Sequence, residues 1–437
     1  MPRKPPSRPK LYNFPPEKIS KIISFVMKEE QKEKYRHWDI LRHLTPPEDL
    51  TREEWWFAIK MKRQFNRKNI HLNDCQQSPF SFAQMDTMLE SLHSIDLKMG
   101  GGITLPEPII NPQARNDFIV RSLIEEAITS SQLEGASTTR LVAKKMLQSG
   151  RKPRDKHELM IYNNYLTMER IREIADQEIN KDLILELHRL VTEGTLEDPA
   201  TTGRFRLPNE SVVVEDTTSH EIIHQPPDAS ELPNRIQNLC DFANGYPLDK
   251  FLHPVLRAII VHFWLAYDHP FVDGNGRTAR ALFYWTVLHH KYWLFEFISI
   301  SEYLLKAPVK YARSFLHTET DDNDLNYFIF YQLGVIEQSI QALYDSINKK
   351  TQETHAFEAN LKKTLHFNHR QESILLHALK HPWTRYTIKI HKNNHRIAYD
   401  TARNDLLELE KHKLLYKKQE GNTFVFIAPD NLGDLIQ

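Results

Sequence analysis

Cysteine is almost missing from this 437-residue chain: only Cys75 and Cys240 occur, far apart. That excludes a disulfide framework and a cysteine-built zinc site, and it fits a reducing compartment. Net charge is missing too. Lys and Arg number 57 against 57 Asp and Glu, so nothing global draws the chain to nucleic acid. Long apolar runs are lacking as well; stretches such as Ile259–Tyr267, interrupted by His262, are too short to span a bilayer. The N-terminus is basic and proline-rich (Pro2, Pro5, Pro6, Pro9) without an apolar segment, so it does not read as a signal peptide. The expectation is a cytoplasmic protein that uses no membrane.

Glycine is scarce, at 13 residues, and helical periodicity dominates. The length implies two or three domains. The head, about 17–95, reads as amphipathic helices whose aromatics (Trp38, Trp55, Trp56, Phe57) are expected in the core, and Gly100–Gly102 reads as a flexible joint. From Ile119 to Glu134, Val120, Leu123, Ile124, Ala127 and Ile128 form one apolar helical stripe. Val212, Val213 and Val214 and then Ile222–His224 flank a polar turn, which suggests a hairpin. A helix opening at Pro254 should stop at Asp268–His269, because Pro270 opposes helical geometry in the residue before it. A charged stretch, Asn348–Ala356, reads as a linker to the tail.

The chemistry concentrates in His269-Pro-Phe-Val-Asp-Gly-Asn-Gly-Arg-Thr-Ala-Arg280. Gly274, Asn275 and Gly276 lie between two helices, just before a helix N-terminus, where backbone N–H groups and the helix dipole favour an anion. Arg277 and Arg280 stand one turn apart and can converge on that anion. Asp273 can hold a hard divalent cation against phosphate oxygens. His269 is near enough to act as a base. A polyphosphate cradle, a metal ligand and a base together point to phosphoryl or nucleotidyl transfer.

This stretch resembles the Fic family signature, His-x-Phe-x-Asp/Glu-Gly-Asn-Gly-Arg-x-x-Arg, at every defined position. The resemblance implies a mainly α fold: a Fic-type helical core with a small β-hairpin flap, an N-terminal helical extension (1–110) and a C-terminal winged helix (346–437). The core would span 111–345, with an inhibitory helix at about 118–136. It also implies a protein adenylyltransferase that uses ATP and Mg²⁺. His269 would take the proton of a Ser, Thr or Tyr hydroxyl, Phe271 would anchor the loop, and Asp273 would hold Mg²⁺. Gly274, Asn275 and Gly276 would form the anion hole, with Arg277 on the β-phosphate side and Arg280 on the γ-phosphate. The flap, Val212–His224, would pair with the target's backbone. Doc-type relatives, which act as kinases, differ in the last part of the loop; both glycines and Arg277 are kept here.

Ser130-Ser-Gln-Leu-Glu134-Gly135 resembles the inhibitory motif of Fic proteins. On a helical wheel Glu134 lies about 40° from Val120, at the edge of the buried stripe, where a carboxylate needs a partner. The resemblance makes that partner Arg280, with Glu134 in place of the γ-phosphate. In the tail, Thr387–Asn394 and Ala398–Lys411 read as helix-turn-helix, followed by a hairpin at Leu414–Lys417 and Thr423–Phe426. Over 365–428 there are eleven Lys or Arg against six acids, a surplus of five. Two alternatives stay open. One is a hydrolase that removes AMP through the same site; the other is a DNA-binding regulator with a nucleotide-sensing core. The partners expected are therefore ATP and a protein substrate, the chain itself included, with DNA and a second copy in a homodimer as open alternatives.

Overall fold

Helices carry the chain, as the periodicity predicts. The computed structural model describes residues 4–9, 15–27, 34–47, 50–64, 67–99, 112–215, 221–246, 251–364, 367–380, 384–420, 423–429, 431–432 and 435. The head contains α1 (Pro16–Met27), α2 (Trp38–Leu41), α3 (Arg52–Gln64), strands β1 (Arg67–Asn73) and β2 (Pro79–Ala83), and α4 (Asp86–Met99). Then come α5 (Pro112–Leu133), α6 (Arg140–Ser149), α7 (Lys156–Glu173), α8 (Lys181–Thr192), β3 (Val214–Glu215) and β4 (Ile222–His224). Helices α9 (Leu232–Asn244), α10 (Pro254–Asp268), α11 (Asn275–His289), α12 (Ile300–Lys306), α13 (Pro308–Thr320) and α14 (Asn326–Thr364) follow. The tail holds α15 (His369–Lys380), β5 (Tyr386–Thr387), α16 (Ile388–His395), α17 (Tyr399–Lys411), β6 (Tyr416–Glu420) and β7 (Thr423–Ile427).

Two compact units result. Residues 1–105 and 117–341 make the first, and residues 106–116 and 342–437 the second. The head therefore belongs to the same unit as the helices that follow it. Lys60 Nζ bonds Asp321 at 2.8 Å and Arg63 Nη1 donates to the Tyr327 hydroxyl at 2.8 Å. Trp38, Trp55 and Trp56 are buried, with Phe57 packed beside them, as expected of core aromatics.

Two segments differ from the sequence expectation. The head is not all helical, because β1 and β2 pair antiparallel, Arg67 opposite Ala83 and Asn69 opposite Ser81. The polar string Arg67–Asn73 conceals its alternation: only Ile70 and Leu72 turn inward. Asp74 closes the turn by accepting the N–H groups of Gln76 and Ser78, each at 2.8 Å. The second difference is the linker. Residues 348–356 are helical within α14, since the run after Gly334 holds no Gly or Pro and its Lys, Glu and Gln are good helix formers. Gly100–Gly102 and the turns at 216–220 and 421–422 lie outside the described residues.

Helix α5 is enclosed on nearly all sides from Phe118 to Ser131, rather than along one stripe. Buried polar residues must be bonded, and here they are. Ser131 Oγ donates to Met160 O at 3.2 Å and Asn164 Nδ2 to Ala127 O at 3.3 Å, fixing the helix to α7. On the other side Glu126 accepts from Tyr284 Oη (2.9 Å), Ser299 Oγ (2.8 Å), Ser301 N (3.1 Å) and Ser301 Oγ. Removing that carboxylate strands several buried donors. Glu126→Ala should cost about 3 kcal/mol in urea denaturation, while Glu126→Gln should keep most of that stability.

Candidate active site

Helix α10 opens with Pro254 in its first turn, His253 Nδ1 accepting the Val255 N–H at 3.2 Å. It ends at Asp268 because His269 takes a left-handed backbone (φ 45°) ahead of Pro270. Phe271, fully buried, then anchors the loop: its ring stacks on His188 at 3.7 Å with 4° between planes. Asn275 staples the loop to itself, its amide donating to Phe271 O at 2.8 Å and accepting Phe271 N–H at 2.9 Å. Gly274 caps α11 at φ 84°, where a methyl group would lie 2.5 Å from Thr192 Cγ2. Only glycine allows that approach. The Asn275 side chain is consumed inside the loop, so what the N-terminus of α11 can offer an anion is backbone N–H groups.

His269 Nδ1 meets Ala266 O at 3.2 Å; a carbonyl only accepts, so the proton sits on Nδ1 and Nε2 keeps its lone pair. Burial depresses this histidine to about 4, which leaves it neutral at physiological pH. Five side chains outside the signature stretch hold it and its loop there. Arg206 donates through Nε to His269 O at 2.9 Å. Asp268, fully buried, accepts from Arg235 Nε at 2.8 Å and Trp264 Nε1 at 3.1 Å. His188 Nδ1 accepts Gly203 N–H at 3.1 Å, so its Nε2 donates to Asp273 O at 2.9 Å. Apart from Trp264, one helical turn before Asp268, these partners are far from their mates in sequence, and periodicity carries no signal for them.

Arg280 and Glu134 come together across 146 residues. Arg280 is 1% exposed; its Nη2 donates to Glu134 Oε1 at 2.8 Å and to Ser130 O at 2.9 Å, and its Nε to Ser130 Oγ at 2.8 Å. Burial is the largest influence and would depress this guanidinium, but the Glu134 charge and hydrogen bond, with Tyr311 and Glu126, together outweigh it and the net direction is upward. Glu134 also lies directly on the loop. A methyl group at Gly276 would meet its Oε1 at 2.1 Å. The carboxylate stands one residue past α5, where Gly135 turns left-handed (φ 90°). Arg277 does not join Arg280 in that contact. It is buried, depressed by that burial, bonded to Val191 O at 2.9 Å, and its Nε has no partner among the described residues.

The valine run ends in the hairpin: Val214 pairs with His224, and Val212 and Val213 lead into the strand half-buried. His224 pins that hairpin to α10, with Nδ1 on Glu319 at 2.7 Å and Nε2 on Tyr267 O at 2.7 Å. Burial opposes its charge, but Glu319 prevails and the pKa is raised. Away from the loop, His37, Asp39 and His317 bring three ligand atoms within 4.8 Å. The two imidazoles stack at 4.3 Å with 9° between planes, so their in-plane lone pairs run nearly parallel instead of converging on one ion. Asp39 bridges them by hydrogen bonds of 3.3 and 3.0 Å.

Residues 178–287 match the Fic/DOC family. They are a Fic/DOC-family domain. A protein adenylyltransferase Fic of Nematostella vectensis is 31% identical over 202 residues, which cover 44% of this chain and 43% of the relative. One of the same description from Drosophila willistoni is 39% identical over 99 residues, 23% of this chain and 18% of the relative. The chain thus spans less than half the length of these curated relatives. The crystal structure of a Fic family protein from Desulfovibrio desulfuricans G20 superposes with a TM-score of 0.53 at 16% identity, covering 80% of this chain and 98% of that one. The mainly helical Fic-type fold is therefore shared. No helix among the described residues is long and apolar enough to cross a membrane.

Burial depresses five histidines of this unit: His188, His269 and His290 to about 4, His262 to about 3, and His37 downward as well. Their folded pKa values lie below the unfolded value near 6.5, so between about pH 4 and 6.5 the unfolded chain binds more protons. Stability then falls as pH falls through that window. His224, raised, works the other way and offsets part of it. The melting temperature at pH 5 should lie about 5 °C or more below that at pH 7.5 by differential scanning calorimetry.

Proposed function

We propose that the chain is a protein adenylyltransferase that Glu134 holds in check. The contact of Glu134 with both Gly276 and Arg280 carries this reading: one carboxylate occupies the place and the cation that a terminal phosphate of ATP would need. The relatives named adenylyltransferases support the same chemistry. In the proposed step the target hydroxyl oxygen attacks the α-phosphorus of ATP, the bond from that phosphorus to the bridging oxygen breaks, and pyrophosphate leaves. The hydroxyl proton passes to His269 Nε2. Arg280, freed of Glu134, binds the leaving phosphates, together with the backbone N–H groups of Asn275 and Gly276. Asp273 suits Mg²⁺: its side chain is exposed at the loop, and one carboxylate plus phosphate oxygens is a donor set that ion takes. Bound there, the ion would neutralise phosphate charge. The β3–β4 flap would hold the target strand by backbone pairing.

A second reading uses the same residues for hydrolysis of AMP from a modified protein. Its support is the Glu134 side chain, 29% exposed and so within reach of water. Faster removal of AMP from a pre-modified target by wild type than by Glu134→Gly would decide for it.

The test uses α-labelled and γ-labelled ATP in parallel. Only α-label should stay on protein. Glu134→Gly should raise labelling about tenfold or more, equivalent to about 1.4 kcal/mol of relieved blockage. His269→Ala should lower it by about 10²-fold or more. Retained γ-label, or equal rates for Glu134→Gly and wild type, would overturn the proposal. The acid limb of the pH–rate profile should fall well below 6.5, near the depressed value of His269, because the base works only while neutral.

A further inference from the structure

The second unit has a core of its own, built on Leu375, Leu406, Leu409, Leu414, Leu415 and Phe426, and the catalytic reading uses none of it. Its strands run in the order β5–β7–β6; α16 packs on α17 and on β5, and β5 pairs with β7 of the C-terminal hairpin. Thr387 caps α16, its Oγ1 accepting Ile390 N–H at 3.2 Å, and Arg396 (φ 52°) closes that helix in the left-handed region. This is a helix-turn-helix followed by a β-hairpin.

Two acids on α17, Asp400 and Asp405, would repel a phosphate backbone if both faced outward. They do not. Asp405 is 4% exposed and is answered internally by Arg370 (2.8 and 3.0 Å), Asn368 (2.8 Å) and His391 (3.0 Å). It is a strut joining α15, α16 and α17. Glu408 is bonded to Gln371 at 2.7 Å and Glu420 to Arg385 at 3.1 Å. What α17 exposes in its first two turns is Tyr399, Asp400, Thr401, Arg403 and Asn404. Lys389 and Lys392 of α16, Arg396 in the turn before α17, and Lys417 and Lys418 of β6 are exposed as well. Withdrawing Asp405 leaves this surface more positive than its composition indicates.

We propose that the second unit binds duplex DNA, with the N-terminal half of α17 in the major groove and β6 on the phosphates. An α-helix fits that groove, and Arg403 and Asn404 carry the donor patterns that read guanine and adenine edges. Lys417 and Lys418 supply charge without base specificity. The exposed apolar side chains here, Ile390, Tyr399, Tyr416 and Phe424, sit among these cations, and the Lys417 ammonium covers Phe424 at 4.3 Å. That arrangement suits a polyanion better than an apolar protein surface.

The test is fluorescence anisotropy of the full chain with a labelled 20-base-pair duplex of mixed sequence, from 50 to 200 mM salt. Wild type should bind in the micromolar range at the lowest salt, and its log affinity should fall linearly with log salt, slope about −3 to −5. Reversing Lys417→Glu with Lys418→Glu should weaken binding about tenfold or more and flatten the slope by about 2, near 0.9 per lost contact. The neutral pair Lys417→Gln with Lys418→Gln, gentler to the fold, should show the same flattening. Asp400→Asn should tighten binding. Absence of binding at 50 mM salt, or equal salt slopes for wild type and the glutamine pair, overturns the proposal.

Discussion

The Arg280 guanidinium, sealed from water, is answered by the Glu134 carboxylate, and the face around the loop is arranged about that pair. Three of the guanidinium's acceptors come from the end of α5: Ser130 Oγ, Ser130 O and Glu134. The helix must therefore be held where Arg280 can reach it. Glu126, two turns earlier, does that on one side, and Met160 and Asn164 on the other. If nucleotide replaces Glu134, one anion is exchanged for another, and the buried charge is never left alone. Exchange of this kind is far less costly than opening a naked cation.

The loop before Arg280 is stiffened for the same purpose. Phe271 is clamped between His188 and Phe205, Asn275 ties the loop's two ends, and Gly274 fits only because it lacks a side chain. The head takes part in this rigidity. Its β1–β2 turn reaches Asn323 through Asp74 at 2.8 Å, and Cys75 lies within 3.6 Å of Gln225 O, just after β4. The N-terminal residues thus border the hairpin that borders the base.

The signature from His269 to Arg280 was readable because its parts are consecutive. The stop of α10 and the glycine-rich entry to α11 follow from local rules about proline and glycine, and the anchoring of Phe271 from the family resemblance. Partners separated by dozens of residues were not readable: Arg235 with Asp268, Arg206 with His269, His224 with Glu319. The wheel argument placed Glu134 correctly for an incomplete reason. It treated the residue as helical, whereas the chain has already left α5 and turned at Gly135. Burial of α5 all round was also invisible, since Glu126, Thr129 and Ser131 look like a solvent face until their acceptors and donors are known.

His269 has a further consequence for the economy of the fold. A left-handed backbone at a residue with a Cβ costs about 1 kcal/mol, and glycine or asparagine would relieve it. The protein is therefore less stable than its own architecture permits, at the one position that terminates its central helix. On the proposed function, exchanging this imidazole for glycine would relieve the backbone strain and remove the base in one step. On that reading, selection for robustness and selection for activity pull in opposite directions on this single residue, and any effort to harden the protein by design meets its limit there.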